Sequence, residues 1–149
     1  NNLPGIDNNP NSSTIIQNLK NLMINVGDKI YEKYGNVTIS SGYRSNTLNK
    51  KLKGADNSQH TKGEALDIQI PGISTSEIFN WAVENIPTYD QIIWEFPEKG
   101  ESSWVHISYS NNNRKDKLLA TNNTSLQTAY NGNSIYTSIT SADQSKVPS

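Results

Sequence analysis

Cysteine is missing from all 149 residues, so neither a disulfide framework nor a thiolate metal site can form, and any metal must be held by nitrogen and oxygen. Long apolar runs are missing too. No stretch approaches the roughly 20 residues that cross a bilayer, and no basic segment followed by an apolar one opens the chain, so a soluble protein is expected. Charge of one sign is not in excess: 13 basic residues face 14 acidic ones, for a net charge of −1. No positive field exists to hold the chain on phosphate backbones, and no nucleic-acid partner is expected. Apolar residues make up 33%, and the nine glycines do not lift this to the roughly 45–50% of an average globular domain. Asparagine (21) and serine (18) fill the gap, many of them towards the two ends. This predicts one domain with solvated polar termini. A start at Asn1 rather than Met suggests a processed product or a piece of a longer polypeptide.

Residues 1–12 hold two prolines, a glycine and five asparagines and are expected to form an extended lead-in. From there Ile15 or Ile16, Leu19, Leu22 or Met23, Val26 and Ile30 recur at helical spacing, with Ser13 or Thr14 as N-cap, which predicts an amphipathic helix over about 14–34. Tyr34-Gly35-Asn36 stops it, and Val37 to Ser40 follows as a short strand. Ser45 to Lys53 reads as a short basic helix closed by Gly54, and 54–63 as loop. In Glu64 to Ile70 the residues Leu66, Ile68 and Ile70 share one face, and Ala65, Asp67 and Gln69 the other. Ser74-Thr75-Ser76-Glu77 has capping-box spacing and opens a helix through Ile86, carrying Ile78, Trp81 and Ala82 on one side. Two β-rich runs, 91–96 and 104–109, flank a turn-rich loop and predict a hairpin. Ile92, Trp94 and Phe96 form its inner face in the first run, and Val105, Ile107 and Tyr109 in the second. A last strand is expected at about 115–121, and 122–149 is a low-complexity polar tail or linker to which no fold is assigned.

Only two histidines occur, His60 and His106. His106 and Asp67 both lie on the polar face of strands whose opposite face is apolar, and His60 precedes Asp67 by seven residues. Two imidazoles and a carboxylate can fill three corners of a tetrahedron around zinc and leave the fourth for water. Spacing alone carries this only weakly, because a lone histidine in a loop is ordinarily a solvated side chain.

Three ordered segments sharpen it. Ser58-Gln59-His60-Thr61-Lys62-Gly63-Glu64-Ala65-Leu66-Asp67-Ile68 resembles the S-x-H-x-x-G-x-A-x-D-[IV] signature of the zinc D-alanyl-D-alanine carboxypeptidase and L,D-endopeptidase family, which shares a fold with Hedgehog signalling domains. Ser41-Gly42-Tyr43-Arg44-Ser45 matches its S-G-[YF]-R-S segment, and Trp104-Val105-His106 resembles the W-x-H segment of lysin-type and phage-associated members. Together they cover roughly residues 35–110. The resemblance implies an α+β fold with a small antiparallel sheet and helices on one side, a zinc peptidase domain over 13–121, and His60, Asp67 and His106 as ligands of Zn2+. It further implies that Arg44 grips a carboxylate or carbonyl of the peptide substrate, as a planar guanidinium can. Ser58 lies near the site in the family and is a candidate substrate contact, with a loop cap as the alternative. Tyr43 and Trp104 are candidate walls of the cleft, with core packing as the alternative.

Many relatives carry a catalytic carboxylate three residues before the last histidine, where this chain has Ser103. Glu95 is the expected replacement, since a hairpin of 91–96 and 104–109 can bring it across from His106 on the non-core face. Glu98 and Glu101 in the loop are fallback choices. The expected activity is hydrolysis of an amide bond in bacterial peptidoglycan stem peptides, by a D-Ala-D-Ala carboxypeptidase or an endopeptidase cutting after L-Ala. The rival is a wall-binding or structural module of a phage virion or surface protein, without turnover, for which Ser103 is the main support. Either places the protein outside the cytoplasmic membrane, reached by export, lysis or injection, with peptidoglycan peptides as partner and a larger polypeptide or virion assembly as context.

Overall fold

Ser12 begins the first helix, its Oγ accepting from the Ile15 backbone N–H at 3.5 Å, one residue ahead of the expected cap. The helix runs as α1 (Ser13–Leu22), a π-helical turn (Met23–Gly27) and α2 (Asp28–Tyr34), and Gly35 ends it at φ +78°. The π turn lies where Gly27 admits the Met23 side chain, which a Cβ on Gly27 would meet at 2.6 Å. Two further helices are α3 (Asn46–Lys51) and α4 (Thr75–Asn85). In α4 the expected capping residue is in place, with Ser74 Oγ accepting from the Glu77 N–H at 3.2 Å. The computed structural model describes residues 5–54, 57–120 and 127–128.

The strands are β1 (Thr38–Ser41), β2 (Ala65–Gln69), β3 (Gln91–Glu95), β4 (Trp104–Ser108), β5 (Asp116–Ala120) and β6 (Gln127–Thr128), in spatial order β1-β2-β4-β3-β5-β6. Period-2 alternation decides which face each residue takes. Leu66, Ile68, Ile92, Trp94, Val105 and Ile107 point to one side, where Leu22, Val26 and Ile30 of the first helix and Ile78, Phe79 and Ala82 of α4 close the core. Each of the Val, Leu, Ile and Phe side chains among them contributes about 1.5–3 kcal/mol by leaving water. The fold is therefore α+β, with helices on one face of the sheet. The opposite face carries Ala65, Asp67 and Gln69 of β2, then Ser108, His106 and Trp104 of β4, then Gln91, Ile93 and Glu95 of β3.

Three details differ from expectation. The sheet is mixed, because β5 runs parallel to β3 (Gln91↔Asp116 to Glu95↔Ala120). The chain leaves β4 at the end where β3 begins and stays there: the Lys115 N–H bonds to Tyr89 O and the Asp116 N–H to Asp90 O. It therefore enters β5 in the direction of β3. Phe96 does not extend the inner face of β3; its left-handed backbone (φ +55°) turns the ring to within 5.1 Å of Trp104. The polar tail expected from residue 122 supplies β6, which pairs antiparallel with β5. The remainder of that tail and the first four residues of the lead-in lie outside the described residues. The loop 54–63 also contains a 3-10 turn, Gln59–Lys62.

Candidate metal centre

Asp67 and His106 are direct cross-strand partners in the β2–β4 pair, so their side chains rise together from the open face of the sheet. His106 Nδ1 lies 3.0 Å from Asp67 Oδ1. His60 comes from the 3-10 turn above β2. Ser58 starts that turn by accepting from the His60 backbone N–H at 3.2 Å, and Gly63 ends it in the left-handed conformation (φ +74°). His60 Nε2 thereby reaches Asp67 Oδ2 at 3.2 Å. All three are buried, at 3, 6 and 9% exposure for His60, Asp67 and His106. Zinc donors about 2.0–2.2 Å from one centre in tetrahedral array stand roughly 3.3–3.6 Å apart, a little wider than the 3.2 and 3.0 Å found.

The hydrogen bonding makes the same point chemically. His60 Nδ1 is 2.7 Å from the Gly42 carbonyl, which can only accept, so Nδ1 carries the proton. Nε2 of the same ring faces a carboxylate oxygen of Asp67. Two acceptors at 3.2 Å repel unless a second proton or a cation lies between them, so the donor set fits a metal ion. Burial by itself would raise the Asp67 carboxyl, but the bonds to His106 and His60 outweigh it and hold the group well below the usual carboxylate range. Asp67 is therefore an anion, as a ligand must be.

A cleft of about 720 Å³ opens over these groups. Arg44 borders it with its guanidinium fixed on two sides: Nε donates to Ser41 Oγ at 3.2 Å and Nη1 to Asn49 Oδ1 at 3.0 Å. Nη2 stands 4.0 Å from Asp67 Oδ2. A β-bulge between Ile39 and Ser41 sets Ser41 beside Asp67. The lead-in takes part as well, since the Asn8 side chain donates to Tyr43 O at 3.0 Å and accepts from the Ser45 N–H at 2.7 Å, pinning the residues on either side of Arg44.

Glu95 lines the cleft but lies opposite Trp104, whereas Ile93 lies opposite His106. The hairpin register is therefore two residues away from the one expected, although Glu95 remains on the face that carries the histidines. Two 3-10 turns within Pro97–Ser102, joined by a kink at Gly100 (φ +58°), close this hairpin. The Trp104 indole N–H donates to Glu95 Oε2. Burial raises the Glu95 carboxyl above the ordinary value, opposed by the nearby His106. Ser58 lines the cleft and caps the turn at once. Trp104 lines it too, whereas Tyr43 is not among the lining residues. Glu98 and Glu101 are exposed in the loop. Ser103 faces the core, fully buried in a chain that runs from Trp94 Nε1 to Thr75 Oγ1, Ser103 Oγ and Gly100 O. Ser103 of this chain thus points away from the cleft.

Sequence reasoning missed Asp90, which is 2% exposed. It accepts from Gln59 Nε2 at 2.7 Å and from Arg114 Nε and Nη2 at 2.8 and 2.9 Å. Its only sequence signal is a charged residue next to an apolar run, which does not identify a buried hub.

Two buried imidazoles and a carboxylate converge on one point beneath an open cleft, with an acid and a fixed guanidinium at its walls. This is the composition of a metal-dependent hydrolase site. A family profile described as Peptidase M15 matches residues 2–108, most of the chain. The protein belongs to the peptidase M15 family, whose members are zinc-dependent. No curated protein matches it.

Proposed function

We propose that this chain is a zinc peptidase that hydrolyses an amide bond in the stem peptides of bacterial peptidoglycan. The observation that carries the reading is the convergence of the buried side chains of His60, Asp67 and His106, whose ligand atoms all lie within 4.8 Å of one another. These three residues hold the zinc, which when bound polarises a scissile carbonyl and makes water more acidic. Glu95, on the same face and oriented by Trp104, acts as general base and returns the proton to the departing amine. Its buried setting suits it to exchange protons nearer neutrality than an exposed glutamate can. Arg44 directs its remaining donors at a substrate carboxylate, with Ser41 and Asn49 fixing the plane of the fork. Ile93, buried beside His106, offers an apolar contact for a small side chain such as that of alanine. Both a D-Ala-D-Ala carboxypeptidase and an endopeptidase cutting after L-Ala meet these requirements. Such a substrate places the protein at the cell wall, as a secreted, lysis-released or virion-associated enzyme.

The deciding experiment measures zinc content and amino groups released from purified peptidoglycan for wild type, Glu95→Gln and His106→Ala. Wild type is expected to hold one equivalent of zinc and to release amines. Glu95→Gln should keep the metal and lose about 10²- to 10⁴-fold in rate, and His106→Ala should lose the metal. A wild-type chain that retains zinc yet releases nothing would leave the wall-binding module as the better description.

A further inference from the structure

The residue before the first histidine ligand is held by a bond whose other end is left unsatisfied. Gln59 Nε2 donates to Asp90 Oδ2 at 2.7 Å, while Oε1 of the same amide is buried with no hydrogen-bond partner among the described residues. The orientation is forced. An ionised carboxylate only accepts, and Arg114 occupies Asp90 from the other side with Nε, Nη2 and its backbone N–H at 2.8, 2.9 and 3.0 Å. Flipping the Gln59 amide would set two oxygens against each other. A buried carbonyl without a partner destabilises a fold by about as much as a hydrogen bond to a carboxylate stabilises it, so an apolar side chain of the same length should leave stability little changed.

The bond does join three segments that border the cleft. Gln59 opens the turn that carries His60, Asp90 leads into β3, and Arg114 belongs to the connection from β4 to β5, beyond the residues matched by the family profile. The turn is tied towards β1 by His60 Nδ1 on Gly42 O and by the Arg44 N–H on His60 O, and towards α1 by Asn18 Nδ2 on Lys62 O. Gln59 and Asp90 tie it towards β3. A turn fixed from three directions cannot tilt His60 away from Asp67.

We propose that Gln59, Asp90 and Arg114 form a clamp that preorganises the metal ligands, with Gln59 as a positioning residue that acts through His60. This rests on the zinc reading above, and its test separates the two. Zinc dissociation constants are measured on the metal-free chain against a chromophoric chelator, alongside the thermal midpoint of the same metal-free samples. Gln59→Met is expected to melt near the wild-type midpoint while binding zinc about 10- to 100-fold more weakly. Gln59→Glu, which sets a second carboxylate against Asp90, should bind more weakly still. The proposal is overturned if Gln59→Met binds zinc as tightly as wild type, or if its loss of affinity comes with an equal fall in the metal-free midpoint. A wild-type chain that takes up no zinc would overturn the clamp and the zinc reading together, whereas tight wild-type binding with no effect of Gln59→Met removes the clamp alone.

Discussion

Arg44 shows how much of a side chain's function lies in what holds it. Its charge alone would permit exchange for lysine, but Ser41 and Asn49 accept from Nε and Nη1, and a lysine can replace neither bond nor the planar fork. Arg44→Lys is expected to lower kcat/KM about 10- to 100-fold, in line with about 1.5–3 kcal/mol for hydrogen bonds to charged groups. Most of the loss should appear in KM, and only for substrates with a free carboxylate near the scissile bond; equal losses on an amidated peptide would argue against the assigned grip. The same scale shows what could be read from residues in order. His60, Asp67, His106 and Arg44 stand in motifs with a fixed spacing, and the alternation of β2 and β4 already put Asp67 and His106 on the non-core face. Asp90 had no such marker, because its partners Gln59 and Arg114 lie 31 and 24 residues away.

Among the elements, two glycines in similar company behave oppositely. A Cβ on Gly27 would meet only the far end of the Met23 side chain under 3 Å, with Leu66 at 3.7 Å, and the backbone is helical. Gly27→Ala should be neutral or stabilising, by up to about 1 kcal/mol from helix propensity. Gly63 has φ +74°, and a Cβ there would meet the Ile15 carbonyl at 2.9 Å. Gly63→Ala should lower stability by about 1–3 kcal/mol and weaken zinc binding, since it displaces the turn that carries His60. Denaturant midpoints for the two variants check both signs. The tie between the β3 start and the β4–β5 connection adds a pH dependence. Burial alone would raise the Asp90 carboxyl, but the bonds from Arg114 and Gln59 outweigh it and leave the group below its ordinary value. Folded Asp90 therefore holds its proton less tightly than the unfolded chain does, at about 3.9. Its contribution is complete above that value and is lost as pH falls through the folded one. Asp90→Asn should melt lower than wild type at pH 7, with the gap narrowing as pH falls below about 4.

For the molecule as a whole, the metal and the fold support each other. A ligand that binds only the folded chain stabilises it by mass action, about 4 kcal/mol at a thousand times its dissociation constant. Removing zinc with a chelator should therefore lower the melting midpoint by several degrees, with recovery on adding zinc back; identical midpoints in both states would contradict a resident metal at His60, Asp67 and His106. The sequence by itself determined the local alternatives: where helices and strands begin, which strand residues face inward, and which side chains can serve as ligands. These follow from side-chain size, capping and periods of 3.6 and 2, which act over a few residues. Only the tertiary structure decided that Glu95 lies opposite Trp104, that β5 runs parallel to β3, that Phe96 leaves the core, and that Asp90 ties the histidine turn to the sheet. Each of these depends on how a connection of several residues closes between distant segments, and the packing and hydrogen bonds that settle such closures exist only once the whole chain has met itself.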